Sequence, residues 1–222
     1  YNLKLIYDAA HAFGVRDAGG SILRHGDLSI LSFHATKVFN TFEGGAIICP
    51  DAKTKQRIDH LKNFGFVDET TVIAPGINGK MSEFNAALGL LQIQHMDRVL
   101  ESRRKITQRY LEALQGIAGI QFLSQELHHV RNYSYFPVLI GDNYPITRDE
   151  VFAILRQHGV IARRYFYPLI SEFPMYRGLP SAKNADLPNA FRASRQILCL
   201  PIYPGLLEEE QTKIIDLLVK PS

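Results

Sequence analysis

Short apolar runs alternate with polar segments over the first 50 residues of the chain. Residues 3–7, 29–33 and 46–49 are mostly apolar and are separated by stretches containing Gly, Asp and Lys. Runs of this length and composition are typical of buried strands. An amphipathic pattern follows at residues 51–63, with an acid at its start, and it predicts a helix.

A long helical pattern begins at Ser82, a good N-cap residue, and reaches about residue 115. Residues 84–96 are apolar nearly all round, so we expect them to be buried, whereas residues 98–114 carry one apolar stripe. A helix of this length spans roughly 50 Å. We therefore expect it to bend and to bridge two domains, and we interpret residues 64–81 before it as a loop.

The pattern changes after Gly116, where strands are predicted at residues 120–123, 135–140, 160–167 and 198–202. Thr147 and Glu150 form a capping-box pattern that opens a helix ending at Gly159, and residues 208–219 predict a final amphipathic helix. Strands alternating with helices indicate an α/β fold. We place the domain boundary between residues 115 and 116.

Composition and charge narrow the class of protein only slightly. The chain has 222 residues, is 46% hydrophobic and carries a net charge of +3, which argues neither for nor against an anionic ligand. Cys49 and Cys199 lie in apolar runs, and no metal-ligand spacing accompanies them, so we predict no metal site. No apolar run approaches the length of a membrane span. We expect a cytoplasmic protein without a nucleic-acid or membrane partner.

Lys37 is the first residue that suggests chemistry. It lies in the loop between the predicted strands at residues 29–33 and 46–49, with Ser32 close by. A buried environment lowers the pKa of a lysine, and a neutral amine is a nucleophile for carbonyl carbon. The alternative is a solvated lysine in a hairpin loop, and Lys37 taken alone favours that alternative.

Asp8 follows the predicted strand at residues 3–7, at the end where α/β sheets usually bind ligands. A carboxylate there can pair with a pyridinium nitrogen and keep it protonated. The alternative is the N-cap of a helix. His11 has two interpretations as well, since it can contact a bound ring or be an interior histidine with satisfied hydrogen bonds.

Several segments in a fixed order carry a resemblance over nearly the whole chain. They are residues 7–14, Gly26 and Asp27 leading into residues 32–37, residues 42–46, residues 76–89 and residues 198–204. Together these segments resemble the DegT/DnrJ/EryC1/StrS family of sugar aminotransferases. The resemblance implies an α/β enzyme of aminotransferase fold type I that uses pyridoxal 5'-phosphate (PLP).

The resemblance also implies roles for individual residues. Lys37 would be the catalytic Schiff-base lysine and the proton shuttle, and Asp8 would pair with the PLP ring nitrogen. His11, at a position that is often Gln in the family, would contact the ring face or its 3-oxygen. Ser32 would bind the PLP phosphate. Asn78 would reach the phosphate of the neighbouring subunit's cofactor, which implies a homodimer with shared active sites.

Two other positions keep open interpretations. Lys80 stands where many family members have Arg, and a compact ammonium does not reproduce a guanidinium fork, so we assign it no role. Arg163, Arg164 and Tyr165 mix cations with an aromatic ring. They can face an anionic sugar nucleotide, or they can serve strand packing and surface charge.

The resemblance assigns residues 1–115 to the remainder of a PLP-binding large domain and residues 116–222 to a small C-terminal α/β domain. Family enzymes are longer at the N-terminal end, so we expect this sequence to lack that part. The additional part would hold the turn that binds the PLP phosphate and an aromatic residue that stacks on the ring.

The function implied by the resemblance is transfer of an amino group, from glutamate, to a nucleotide-linked keto-deoxysugar. A PLP-dependent sugar dehydratase of the same fold is an alternative, but that branch of the family replaces the lysine by histidine, and Lys37 is present. A truncated, non-catalytic homologue is a third possibility.

Overall fold

The computed structural model describes residues 1–122 and 130–220. These residues divide into two compact units. Unit 1 contains residues 1–100 and 130–134, and unit 2 contains residues 101–122 and 135–220. Part of the predicted strand at residues 120–123 lies outside the described residues.

Unit 1 is built on a three-stranded mixed sheet. In chain order its elements are β1 (Ile6–Asp8), β2 (Arg16–Asp17), β3 (Gly20–Ser21), β4 (Leu28–Ser32), β5 (Gly45–Ile48), α1 (Ala52–Leu61), α2 (Glu83–Ile93) and the start of α3 (Met96–Leu114). The sheet order is β1-β4-β5, with β1 parallel and β5 antiparallel to β4. Strands β2 and β3 form a separate antiparallel pair.

The three strands predicted in this region are found within a few residues of their expected positions. The expectation that residues 3–7 are buried was wrong, because Leu3 is 80% exposed and Ile6 is 56% exposed. β1 forms an edge of its sheet and pairs with β4 on one side. An apolar run reports a preference for burial, but it does not report which neighbour covers it.

The helical predictions in unit 1 need one correction. α1 begins as predicted, with the Asp51 carboxylate accepting a hydrogen bond from the Thr54 amide at 2.7 Å. The long predicted helix is two helices, since α2 ends at Ile93 and α3 begins at Met96. The expected burial of residues 84–96 was also wrong, because α2 contains no buried residue and Phe84 is 80% exposed.

Unit 2 is an antiparallel sheet covered by helices. Besides the rest of α3 it contains, in chain order, β6 (Ile120–Phe122), β7 (Phe136–Ile140), α4 (Arg148–Gln157), α5 (Pro188–Gln196), β8 (Ile197–Leu200) and α6 (Glu208–Val219). The sheet order is β6-β7-β8, and both pairs are antiparallel. Its core includes fully buried side chains from α3, β7, α4, β8 and α6, among them Leu114, Val138, Leu155, Leu198 and Leu218.

Most elements of unit 2 follow the sequence pattern. The capping box is confirmed, since the Thr147 hydroxyl accepts from the Glu150 amide and the Glu150 carboxylate accepts from the Thr147 amide. The predicted strand at residues 160–167 was wrong, because within the described residues this stretch makes one isolated bridge, between Arg163 and Cys199. Pro168, which follows it, has no amide proton to give to a ladder. The sequence pattern also missed α5.

None of the helices in the described part of the chain combines the length and the apolar composition that crossing a bilayer requires.

Candidate functional site

The candidate site residues of unit 1 gather at the carboxyl edge of the β1–β4 pair. These strands are parallel, with Asp8 opposite Ile30. The Ala9 amide extends the pairing by donating to the Ile30 carbonyl at 2.9 Å. Since parallel strands end at the same edge, Asp8 at the end of β1 and Ser32 at the end of β4 lie on one edge of the sheet.

The backbone after Asp8 forms a turn. The Asp8 carboxylate accepts from the Ala10 amide at 3.1 Å, and the Ala12 amide donates to the Ala9 carbonyl at 2.8 Å. No α-helix is found among residues 9–14, so the alternative role of Asp8 as a helix N-cap is not what the structure contains. The turn presents His11 three residues after an exposed carboxylate.

Lys37 lies in the loop of residues 33–44 that joins β4 to β5. Its amide donates to the His34 carbonyl at 2.9 Å, and its side chain is half-buried. The loop is fixed by the two residues that follow, since Val38 and Phe39 are 7% and 4% exposed. A lysine held beside buried neighbours loses much of the freedom of a surface loop. The sequence suggested buried surroundings for Lys37, and the structure shows it half-buried.

Aromatic packing joins this loop to the turn after β1. The Phe13 and Phe39 rings stack with centroids 4.4 Å apart, and Phe33 meets Phe39 edge-on at 4.9 Å. Such pairs contribute about 0.5–1.5 kcal/mol beyond the burial of their area. The cluster therefore keeps the segment that carries His11 next to the loop that carries Lys37.

The end of the loop requires two consecutive glycines. Gly44 has a φ of 146°, and a Cβ added there would lie 2.7 Å from the Thr41 hydroxyl oxygen. A Cβ on Gly45 would lie 2.7 Å from the Leu31 carbonyl oxygen across the sheet. Any larger residue would have to displace the loop or β4. Their function is the close return of the chain into β5.

Lys37 and His11 are in direct contact. The Lys37 Nζ lies 2.9 Å from the His11 Nε2. Partial burial lowers the pKa of His11, the nearby charge of Lys37 lowers it further, and the Asp8 carboxylate opposes both effects. Because an ammonium has only donors, the imidazole nitrogen is the acceptor in this contact when the lysine is charged. An amine, an imidazole and a carboxylate thus form one interacting group.

Sequence reasoning missed Asn132, which holds the turn that carries His11. Asn132 is 7% exposed, and its side-chain amide donates to the His11 carbonyl at 2.7 Å and to the Phe13 carbonyl at 2.9 Å. The Asn132–His11 bond joins residues 121 positions apart. Local spacing carries no signal for such a contact.

The two expected phosphate ligands occupy different parts of unit 1. The Ser32 hydroxyl is half-buried at the end of β4 and accepts from the His34 amide at 3.3 Å. Asn78 is exposed in the loop before α2, where its backbone forms an isolated bridge with Asn63. Within this unit, Ser32 shares the sheet edge with Asp8, whereas Asn78 comes from the separate loop at residues 62–81.

The cationic residues with open interpretations make contacts inside their own units. The Lys80 ammonium lies over the Phe64 ring, 4.4 Å from its centroid. In unit 2, the Arg163 guanidinium donates to the Tyr165 hydroxyl at 2.6 Å. Arg164 pairs with the Asp149 carboxylate at 2.9 Å. The contacts of Arg163 and Arg164 are those expected from the interpretation as packing and surface charge, and Lys80 still has no assigned role.

A cavity of about 460 Å³ lies beside Asp8 in unit 1. Its other lining residues are Tyr7, Ala9, Ala12, Asp17, Ile22, His25 and Ser29. The carboxylate of Asp17, one of the lining residues, pairs with the Arg24 guanidinium and with the His25 ring. A larger cavity of about 700 Å³ lies in unit 2 around the start of α4. The larger cavity contains none of the predicted site residues. Cavity size therefore does not identify the candidate site.

Comparison with known proteins identifies relatives over nearly the whole chain. The model of the DegT/DnrJ/EryC1/StrS aminotransferase family matches residues 1–219. A dTDP-4-amino-4,6-dideoxy-D-glucose transaminase from Shigella dysenteriae is 52% identical over 93% of this chain and 56% of that protein. One of the same name from Escherichia coli is 50% identical over 99% of this chain and 59% of that protein. The chain thus spans a little over half the length of these relatives.

Solved structures share the fold. DesI, crystallised in the presence of its TDP-sugar product, matches with a TM-score of 0.87 at 37% identity, covering 98% of this chain and 55% of that one. DesV from S. venezuelae, in complex with a ketimine intermediate, matches with a TM-score of 0.88 at 27% identity, covering 98% of this chain and 57% of that one. These matches confirm the predicted α/β fold class.

Proposed function

The chain belongs to the DegT/DnrJ/EryC1/StrS aminotransferase family. We therefore propose that the protein is a PLP-dependent enzyme that transfers an amino group to nucleotide-linked keto-deoxysugars. The names of the relatives that are 50–52% identical support dTDP-4-amino-4,6-dideoxy-D-glucose as the aminated sugar. Its amino group is on C4, so the acceptor would be the corresponding 4-keto sugar. Glutamate is the proposed amino donor.

The observation that carries the proposal is the grouping of Lys37, His11 and Asp8 at one edge of the sheet. Lys37 Nζ lies 2.9 Å from His11 Nε2, and the Asp8 carboxylate acts on the titration of the same histidine. PLP needs an amine for its aldehyde, an anion for its ring nitrogen and donors for its phosphate. Lys37 supplies the amine, Asp8 the anion and the Ser32 hydroxyl a hydrogen-bond donor, so the residues fit this cofactor.

When bound, PLP supplies an aldehyde that binds amines covalently and a ring that withdraws electrons from the adjacent carbon. Lys37 would provide the amine and would move protons at its Nζ during the transfer. The Asp8 carboxylate would keep the ring nitrogen protonated. The Ser32 hydroxyl would donate to the phosphate, and His11 would lie against the ring.

A homodimer with shared active sites is part of the proposal. The exposed side chains of α2 support it, since Phe84, Leu90 and Leu91 are 80%, 69% and 62% exposed. Apolar surface of this kind usually marks an interaction site. Asn78, exposed in the loop before α2, is available to reach a neighbouring subunit's phosphate. The division into domains at residues 1–115 and 116–222 stays a prediction, and so does the cytoplasmic location.

The presence of Lys37 argues against the dehydratase alternative, because that branch needs histidine at this position. The decisive experiment therefore locates the covalent site in the full-length protein. Borohydride reduction after addition of PLP should fix the cofactor on Lys37, and Lys37→Arg should keep the fold but abolish both the adduct and transamination. Lys105→Arg, at an exposed position on α3, is the matched control.

Two outcomes would contradict the proposal. One is a reduced adduct that peptide mapping places on a different lysine. The other is a Lys37→Arg protein that still aminates the 4-keto sugar. Full-length protein that binds no PLP at all would favour the non-catalytic alternative.

A further inference from the structure

The contact between Lys37 and His11 has a consequence for how the amine becomes reactive. Lysine is an ammonium near neutral pH and has no lone pair for attack on an aldehyde. We propose that His11 is the proton acceptor that converts the Lys37 ammonium into the nucleophilic amine. The inference rests on the proposed function, and it adds a step to the role of His11 as a residue lying against the ring.

The distance allows the transfer, and the chemistry of the two groups sets its direction. The Lys37 Nζ and the His11 Nε2 are 2.9 Å apart, which is hydrogen-bond distance. The ammonium donates, so Nε2 carries the lone pair and the neutral ring has its proton on Nδ1. Burial and the charge of Lys37 both lower the pKa of His11, so the ring is neutral and able to accept at neutral pH.

The step balances without a further reactant. One N–H bond of Lys37 breaks and leaves its electron pair on Nζ, while a new N–H bond forms on the His11 Nε2. The ring becomes an imidazolium beside a neutral amine. The Asp8 carboxylate favours that charged ring, since its effect on the pKa of His11 is upward. His11 is only partly buried, so it can return the proton to water.

The surroundings hold both partners in place. Asn132 donates to the carbonyls of His11 and Phe13, at 2.7 Å and 2.9 Å, and the Phe13 ring stacks on Phe39, two residues after Lys37. A proton acceptor has to lie within hydrogen-bond reach of its donor, and fixed supports preserve that distance. Lys37 and Asp8 both act on the titration of His11, with opposite signs.

The first test measures the His11 titration by NMR in the full-length, cofactor-free protein. Replacing Lys37 by Met removes a like charge, so the titration midpoint of His11 should move to higher pH. Lys105→Met removes an equal charge at an exposed position on α3 and should leave the midpoint unchanged. An unchanged midpoint in Lys37→Met would mean that the two side chains do not interact, and it would overturn the proposal.

The second test follows the rate at which added PLP becomes reducible onto Lys37, as a function of pH. His11→Gln keeps a hydrogen-bond acceptor but cannot take the proton. The rate should fall about a hundredfold, which is typical of a lost general base, and should lose its dependence on the His11 titration. At saturating PLP, labelling should still reach completion, because Lys37 is present. A His11→Gln profile identical to that of the natural protein would refute the transfer.

The outcomes separate this inference from the proposed function. If the midpoint responds to Lys37→Met and labelling is slower in His11→Gln, but the natural protein does not aminate the 4-keto sugar, the proton transfer is supported and the function is rejected. Normal transamination with the adduct on Lys37, combined with a His11 midpoint that does not change in Lys37→Met, would support the function and reject the proton transfer.

Discussion

The side-chain amide of Asn132 donates to the backbone carbonyl of His11 at 2.7 Å, from a position 121 residues away in the chain. The same amide donates to the Phe13 carbonyl at 2.9 Å, and its own oxygen accepts from the Ser134 hydroxyl at 2.8 Å. A buried asparagine with both ends of its amide engaged specifies one conformation of the turn it holds. The position of His11 next to Lys37 therefore depends on a residue outside the sheet.

Asn132→Leu should destabilise unit 1 and displace His11. Two carbonyls lose a buried donor, and each such loss costs about 1–3 kcal/mol. Hydrogen exchange should show faster opening of residues 9–14, and the NMR titration of His11 should shift. Asn143→Leu, at an exposed position in unit 2, should change neither property. Unchanged exchange in Asn132→Leu would mean that the aromatic stacking of Phe13 on Phe39 is sufficient to hold the turn.

Asp8→Asn separates two effects of one carboxylate. Loss of the negative charge should lower the pKa of His11 further, because Asp8 is the group that raises it. In the full-length protein, transamination should fall by several orders of magnitude, since the ring nitrogen would lose its anionic partner, while PLP binding largely persists. Asp142→Asn, exposed in unit 2, is the control. Near-normal single-turnover rates in Asp8→Asn would remove Asp8 from the chemistry.

The sequence was a better guide to which helices and strands form than to which of them are buried. The strand that ends in Asp8, the N-cap at Asp51 and the capping box at Thr147 all follow local rules, and the structure contains each of them. The interruption between α2 and α3 was missed because Gln94 and His95 are not helix-breaking residues. Burial failed as a prediction in β1 and α2, since apolar character does not identify the neighbour that covers it.

The candidate site was predictable to the same extent. Asp8 and Ser32 are the last residues of β1 and β4, and Lys37 follows in the loop after β4. Chain order and the parallel pairing of β1 with β4 therefore place all three near one edge of the sheet. The distance between Lys37 and His11 was not predictable, because it depends on the packing of Phe13 against Phe39 and on Asn132. Those contacts join segments that no local pattern relates.

The exposed face of α2 gives a prediction about assembly. We expect the full-length protein to sediment as a dimer at micromolar concentration, and Leu90→Glu to shift it towards a monomer by placing a charge in the interface. Leu179→Glu is the control, because Leu179 is also exposed, at 52%, but belongs to unit 2. Asn78→Ala should weaken PLP binding without unfolding the protein. A stable monomer that binds PLP normally would contradict the shared site.

Arg148 gives a stability prediction for unit 2. Its side chain is 3% exposed, and one guanidinium nitrogen donates to the carbonyls of Ser194 at 3.0 Å and Ile197 at 2.8 Å. Arg148→Met should destabilise the unit by about 3 kcal/mol, because hydrogen bonds to charged groups are the costlier ones to lose. Arg156→Met, exposed on the same helix, should cost less than about 0.5 kcal/mol. Equal melting temperatures for the two variants would contradict this role.

The two cysteines should differ in reactivity. Burial raises the pKa of Cys199 to about 11, with a hydrogen bond from the Tyr165 backbone opposing it, whereas Cys49 is half-buried. Only the thiolate reacts with alkylating reagents, so at about pH 8 iodoacetamide should modify Cys49 first in the folded protein. Mass spectrometry measures both rates. Modification of Cys199 as fast as that of Cys49 in the folded protein would contradict the prediction.

The same pKa of Cys199 predicts how stability depends on alkaline pH. An unfolded thiol ionises near its ordinary value of 9.0, whereas the folded one ionises near 11. Between these values the unfolded state loses its proton first, so the stabilisation present below pH 9 is lost as the pH rises towards 11. Cys199→Ala should therefore make the alkaline loss of stability shallower. Denaturant unfolding measured across this range checks the sign, and a steeper loss in Cys199→Ala would contradict it.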